Sequence, residues 1–281
     1  MIKQLSYPEN KRKIDEMIRK RIFSLDSEYS RVVEKIVKDV SQIGDRALYT
    51  YTEKYDGVKL EGLRVSPGEI EEAYKAVEKD FIVSLKKAIK NVGDYHRCQL
   101  KQSWFNYGNG GMTGQLINPL NRIGAYVPGG RAPYPSSVVM TVVPARVAGV
   151  KEVLISTPPD SNGQINPFIL VAAAETGVDE IYKLGGAQAV AALAFGTESV
   201  KQVDKIVGPG NIFVTLAKKM VYGMVDIDML AGPSEVLILA DDTARPDFLA
   251  ADLLSQAEHD PQAVAVLIST EEKLIEKVEE E

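Results

Sequence analysis

From residue 122 onward, short apolar runs alternate with helix-patterned stretches, and glycine- or proline-rich turns separate them. Strands are predicted at 122–127, 152–156, 180–184, 204–207, 235–240 and 263–269. Helices are predicted at 187–195, 211–222, 246–258 and from 271 onward, and another opens at Asn166-Pro167 and closes at Gly177. An N-cap side chain followed by proline starts a helix, and a glycine ends one. Strand–helix alternation at this spacing leaves few folds open. It predicts a parallel sheet covered by helices on both faces, with ligands beyond the carboxyl ends of the strands.

The first part of the chain is of a different kind. Residues 1–112 carry 21 Lys/Arg and 17 Asp/Glu, whereas residues 113–281 carry 12 and 22. Only 2 of the 14 prolines lie before residue 113. Val33, Val37, Val40 and Ile43 recur at helical spacing, as do Leu85, Ile89 and Val92. Ser66-Pro67-Gly68-Glu69 is a capping box with proline at the first helical position, ahead of the stripe Ile70, Ala73, Tyr74, Val77. Residues 108–111 read as a hairpin tip before an extended segment at 113–117. The expected organisation is a helical region at 1–112, a Rossmann-like domain at 113–233 and the start of a second one at 234–281. The last helix runs into three glutamates with no stop signal, a poor match to the negative helix end, so a longer protein is expected.

Composition excludes several classes. With 281 residues the chain has room for about two domains of ~150 residues. The single cysteine, Cys98, excludes an internal disulfide and a multi-cysteine metal site. A net charge of −6 argues against a nucleic-acid surface. No apolar run approaches the ~20 residues of a membrane helix. The charged N-terminus has no apolar signal core, so a cytoplasmic location is expected.

The glycine-rich turns 127–131, 185–188 and 208–211 all fall where strands end, and 231–235 lies just before one. Glycine lets backbone amides approach a ligand, and helix N-termini favour phosphate. Gln188 and Asn211 stand at two such helix starts. Each turn taken alone is also an ordinary strand-to-helix connection. Gly208-Pro209-Gly210 has two glycines of a dinucleotide fingerprint, with Phe213 in place of the third. Asp226 and Asp228 lie at roughly the spacing of its ribose-binding acid. Gln256 and His259 share a helical face, as half of a metal site or as a solvent-facing pair. His96 and Cys98, two residues apart on a helix, point to different faces and read as ordinary surface or packing residues.

Several segments together resemble the histidinol dehydrogenase family: Gly124-Ala125-Tyr126-Val127-Pro128-Gly129-Gly130, Gly185-Gly186-Ala187-Gln188-Ala189, residues 205–211, residues 228–235, and residues 252–260 with Gln256-Ala257-Glu258-His259. The resemblance implies an α/β fold with Rossmann-like, aldehyde-dehydrogenase-like domains. It implies oxidation of L-histidinol to L-histidine with NAD and zinc, the last step of histidine biosynthesis, in a homodimer. Tyr126, Gln188 and Asn211 then take NAD positions, Ser234 a substrate position, and Gln256 and His259 zinc and substrate positions. The family's Glu-His acid/base pair and its third zinc ligand have no counterpart in these 281 residues, so no catalytic residue is assigned. Two other readings stand beside this one. The first is a non-catalytic nucleotide- or partner-binding short form. The second is an enzyme using Cys98 as nucleophile, which its place outside the glycine turns disfavours.

Overall fold

The computed structural model describes residues 2–23, 28–108, 110–129, 134–230, 234–258 and 263–281. The chain divides into two compact units, residues 28–230 and residues 1–27 together with 231–281. Helix α1 (Lys11–Phe23) belongs to the smaller unit.

The larger unit opens with helices α2 (Glu28–Ile43), α3 (Asp45–Asp56), α4 (Pro67–Ala76) and α5 (Lys79–Arg97). The apolar stripe of α2 buries Val33 and Val40, while Ile43 is left exposed where Gly44 (φ +53°) turns the chain into α3. The capping box forms as its sequence predicts: the Glu69 backbone N–H donates to Ser66 Oγ (3.3 Å), and the Ser66 N–H donates to Glu69 Oε2 (3.0 Å). Strands β1 (Trp104–Gly108) and β2 (Gly111–Gln115) form an antiparallel hairpin with Gly108 opposite Gly111. All ten of their residues are exposed, so no inside-outside alternation marks β1 in the sequence.

The sheet of this unit is built from β3 (Arg122–Tyr126), β4 (Glu152–Thr157), β5 (Glu180–Lys183), β6 (Lys205–Val207) and β7 (Asp226–Ile227). Every pairing is parallel and the order is β5-β4-β3-β6-β7. The connecting helices are α6 (Pro135–Val147), α7 (Pro167–Glu175), α8 (Gly186–Phe195) and α9 (Ile212–Val221). The chain runs outward from β3 through β4 to β5, then returns to the other side of β3 as β6. Strand order therefore reverses between β3 and β6, where open α/β sheets carry their ligand crevice.

Two elements of this sheet are absent from the sequence reading, α6 and the two-residue β7. Helix α6 buries Val138, Val139, Val142 and Val143. Its other side also carries apolar residues, with Met140 exposed there, so it shows little amphipathic period, and its β-branched run with Pro135 and Pro144 does not read as helix.

Side chains alternate across the sheet as strand geometry requires. Ile123, Ala125 and Val127 pack on one face with Val65, Ala73, Leu85 and the valines of α6. Tyr126, Leu154, Tyr182 and Ile206 pack on the other with Val33, Leu48, the alanines of α8 and Val214. Helices α2 to α5 therefore help cover both faces, within one unit with the sheet. The α/β class with a parallel sheet agrees with the sequence-based expectation.

In the smaller unit β8 (Glu235–Ala240) and β9 (Val264–Ser269) pair in parallel. Helices α10 (Pro246–Ala257) and α11 (Glu272–Glu280) bury Leu249, Ala250, Leu274 and Val278 with Ile238, Ala240 and Leu267 packed against them. The alternate residues Leu237, Leu239 and Ile268 are exposed.

Candidate functional site

Tyr126 is the last residue of β3 and is buried. Its hydroxyl oxygen accepts the backbone N–H of Gly186 at 3.1 Å. Gly186 has φ +59° and opens α8 directly after β5. The end of β3 is thus tied to the turn after β5, two strands away in the sheet order. Burial pushes the Tyr126 hydroxyl up to about 12; the Gly186 N–H works against this and the Asp56 carboxylate adds to it. The group is a neutral phenol that can still donate its own proton.

On its other side β3 is pressed by the turn after β6. Gly208 has φ +108°, and a Cβ there would stand 2.1 Å from the Tyr126 carbonyl oxygen. Its N–H donates to Asp228 Oδ2 (2.8 Å), and its carbonyl accepts from Lys218 Nζ (2.6 Å). Lys218 is buried on α9 and also reaches Asp228 Oδ1 at 2.6 Å. This pair braces the backbone of the 208–210 turn.

The three residues expected at a nucleotide site lie at the carboxyl edge of this one sheet. Gln188 is buried in the first turn of α8. Asn211 is exposed and caps α9, its Oδ1 accepting the N–H groups of Phe213 (3.1 Å) and Val214 (3.2 Å). That cap occupies the oxygen, which leaves the Asn211 Nδ2 donors for a ligand. The two acids at fingerprint spacing are engaged elsewhere. Asp226 pairs with Lys205 at 2.8 Å, and Asp228 belongs to the brace just described.

Two groups at this edge escaped the sequence reading. Asp56 is the last residue of α3, and its Oδ2 is buried with no hydrogen-bond partner. Thr157 ends β4 with its Oγ1 in the same state. Both flank Pro158. A Cβ on Gly185 would lie 2.7 Å from Pro158 Cβ and 3.3 Å from Asp56 Oδ1, and one on Gly129 would lie 2.7 Å from Thr157 Oγ1. The only sequence sign of Asp56 is an acid at the negative end of a helix, just before the glycine (Gly57, φ +73°) that stops it.

Burial pushes the Asp56 carboxyl up from 3.8 to about 6. A raised acid contributes stability that is complete below about 3.8 and is lost as pH rises through about 6. Asp56→Asn is therefore expected to raise the melting temperature at pH 7.5 and to leave it nearly unchanged at pH 4, followed by far-UV circular dichroism. A lower melting temperature at pH 7.5 contradicts this account.

In the smaller unit Ser234 directly precedes β8 and is exposed, and its carbonyl accepts the Val264 N–H (3.3 Å). Gln256 is half-buried in the last turn of α10. His259 lies outside the described residues, as do residues 130–133 and 231–233 of the glycine-rich turns. Among the described residues there is no group of three His, Cys, Asp or Glu side chains placed to hold a metal. His96 Nδ1 sits 2.7 Å from Gln99 Oε1, and Cys98 is exposed; both lie at the end of α5. Among the described residues no helix is long and apolar enough to cross a membrane.

The family model for histidinol dehydrogenase matches residues 19–281. The chain is 54% identical over 257 residues to a histidinol dehydrogenase of Clostridium acetobutylicum, covering 91% of this chain and 60% of that protein. It is 58% identical over 252 residues to that of Moorella thermoacetica, covering 89% and 59%. The crystal structure of histidinol dehydrogenase from Elizabethkingia anophelis matches with a TM-score of 0.80 at 41% identity, over 90% of this chain and 59% of that one. The chain thus spans about three-fifths of the length of these relatives. On the family match and these identities, the chain belongs to the histidinol dehydrogenase family.

Proposed function

We propose that this chain carries the NAD-binding portion of an enzyme that oxidises L-histidinol to L-histidine, the last step of histidine biosynthesis, in a cytoplasmic homodimer. The observation that carries the reading is the meeting of the β3 end with the turns after β5 and β6 at the point where strand order reverses. The donor set suits a dinucleotide. The N-terminus of α8 offers phosphate its backbone N–H groups after that of Gly186, which Tyr126 holds, while α9 is capped by Asn211; Gln188 and Asn211 offer side-chain amides. NAD, when bound, supplies the hydride acceptor. Tyr126, held by Gly186, keeps its O–H directed by a fixed acceptor geometry, and the Lys218–Asp228 brace holds the 208–210 backbone in place. A ligand then meets a preorganised edge and loses less conformational freedom on binding.

Zinc is a different case. The family resemblance assigns Gln256 and His259 to it and, with Ser234, to the substrate. One amide oxygen and one imidazole fall short of the three or four protein ligands that a zinc site uses. These two residues do not by themselves make such a site. Turnover on this reading also requires an acid/base pair that these 281 residues do not supply, and a positioned base typically contributes ~10²–10⁴-fold.

The test joins two measurements on the 281-residue chain. Calorimetric titration with NAD⁺ should show saturable binding. Absorbance at 340 nm with saturating histidinol and NAD⁺ should show no enzyme-dependent rise. Absence of NAD⁺ binding overturns the nucleotide assignment. Robust turnover refutes the view that the acid/base groups lie elsewhere, and would direct attention to His96.

A further inference from the structure

We propose that Asp56 is the acceptor for ribose hydroxyls of the bound nucleotide, an inference that rests on the NAD reading above. In a Rossmann-type site a carboxylate binds the ribose hydroxyls, usually from about twenty residues past the glycine turn. Here the acid at that spacing on this edge, Asp228, is consumed by Lys218 and the Gly208 N–H. Asp226 opens β7 and so lies at the amino edge of the sheet, paired with Lys205. Asp160, in the loop after β4, is also spent: its Oδ1 accepts the N–H groups of Asn162 (2.8 Å) and Gln164 (2.9 Å).

Asp56 differs from all three. Its Oδ2 is buried and unpartnered, and its Oδ1 borders the space a side chain on Gly185 would fill. It stands at the carboxyl end of α3, where the helix dipole opposes its charge. Each of these features costs stability, and no ion pair among the described residues offsets them. Groups held at such a cost mark functional sites.

The chemistry of the missing partner follows from the position. A carboxylate among backbone carbonyls and glycines repels phosphate and calls for neutral O–H or N–H donors. A vicinal diol presents two O–H groups to the two carboxylate oxygens. Thr157 Oγ1, the second orphaned atom, lies across Pro158 and can accept from or donate to the same sugar. The adjacent Gly185-Gly186 turn opens a helix whose N-terminus suits the neighbouring phosphate. The dinucleotide contains two riboses, and both present this diol.

The experiment compares wild type, Asp56→Asn and Asp56→Ala by calorimetric titration with NAD⁺ at pH 7.5, each followed by a thermal melt. Hydrogen bonds to a charged group correspond to about 10–100-fold in affinity. Asp56→Ala should lose about that factor. Asp56→Asn, which keeps one acceptor, should lose less. Neither should melt below wild type, whereas a merely structural Asp56 would lower the melting temperature and leave affinity unchanged. AMP and nicotinamide mononucleotide, titrated separately, identify the ribose: the fragment that carries it loses affinity in Asp56→Ala and the other does not. Wild-type binding of NAD⁺ with equal affinity in Asp56→Ala overturns this inference and leaves the NAD reading standing. No binding by wild type overturns both. As a control independent of mutation, the 2′- and 3′-deoxy analogues of the identified fragment should bind wild type more weakly and Asp56→Ala no worse than the parent compound.

Discussion

Gly208→Ala is expected to destabilise the larger unit by roughly 3 kcal/mol or more, the sum of backbone strain and steric overlap. Two independent costs add here. The first is conformational, since φ +108° lies where a Cβ crowds its own backbone. The second is the approach of that Cβ to 2.1 Å from the Tyr126 carbonyl, a backbone atom in the middle strand of the sheet, which cannot rotate away. Relief requires the turn after β6 to lift off β3, and that lengthens the bonds from Gly208 to Asp228 and Lys218. Gly223→Ala is the matched control. Gly223 has φ +100° but nothing within 4 Å of its would-be Cβ. It should cost only the strain, about 1–2 kcal/mol. Urea unfolding of both variants separates the two causes, and equal losses would show that close packing at Gly208 contributes nothing. The same Gly208 variant should lose NAD⁺ binding under conditions where it remains folded.

Lys218→Ala is expected to cost about 3 kcal/mol, the low end for breaking a buried pair by removing one member. The lysine side chain is 4% exposed and that of Asp228 is 28% exposed, so the carboxylate left behind is only partly hydrated. The carbonyl of Gly208 loses its buried donor in the same step. Lys218→Met with Asp228→Asn should recover part of the loss, because no lone charge remains. A coupling of at least about 1 kcal/mol between the two positions is expected from a double-mutant cycle. Additive losses would show that the pair is not a unit. Lys218 stands four residues after Val214 and three before Val221, on the buried stripe of α9. In sequence it looks like a charge misplaced on an apolar face, and only the brace explains it.

The order of strands and helices was legible in the sequence because each predicted element carried local signals. Asn166 before Pro167, the Ser66–Glu69 box and the short apolar run that follows Arg122 all act within a few residues. The glycine turns were equally plain, and the described glycines of these turns, Gly129, Gly185, Gly186, Gly208 and Gly210, stand where a side chain would clash or strain the backbone. Elements without local contrast were not legible. Helix α6 carries apolar residues on its exposed side as well as its buried one, β1 is exposed on both faces, and β7 is two residues long, so none offers a period to detect.

By itself, then, the sequence determined the α/β class, the family and the turns that line the carboxyl edge, because these rest on residue types at short spacing. The tertiary structure alone decided which charges at that edge are free. Asp226 and Asp228 have the spacing of a ribose acid, but the fold places Lys205 and Lys218 beside them. Asp56 has no such spacing and lies 129 residues before Gly185 in the chain, yet folding α3 against the sheet brings its carboxylate to that turn. Whether a carboxylate is paired or left open depends on neighbours distant in sequence, and electrostatic pairing and desolvation exist only once those neighbours have been brought together.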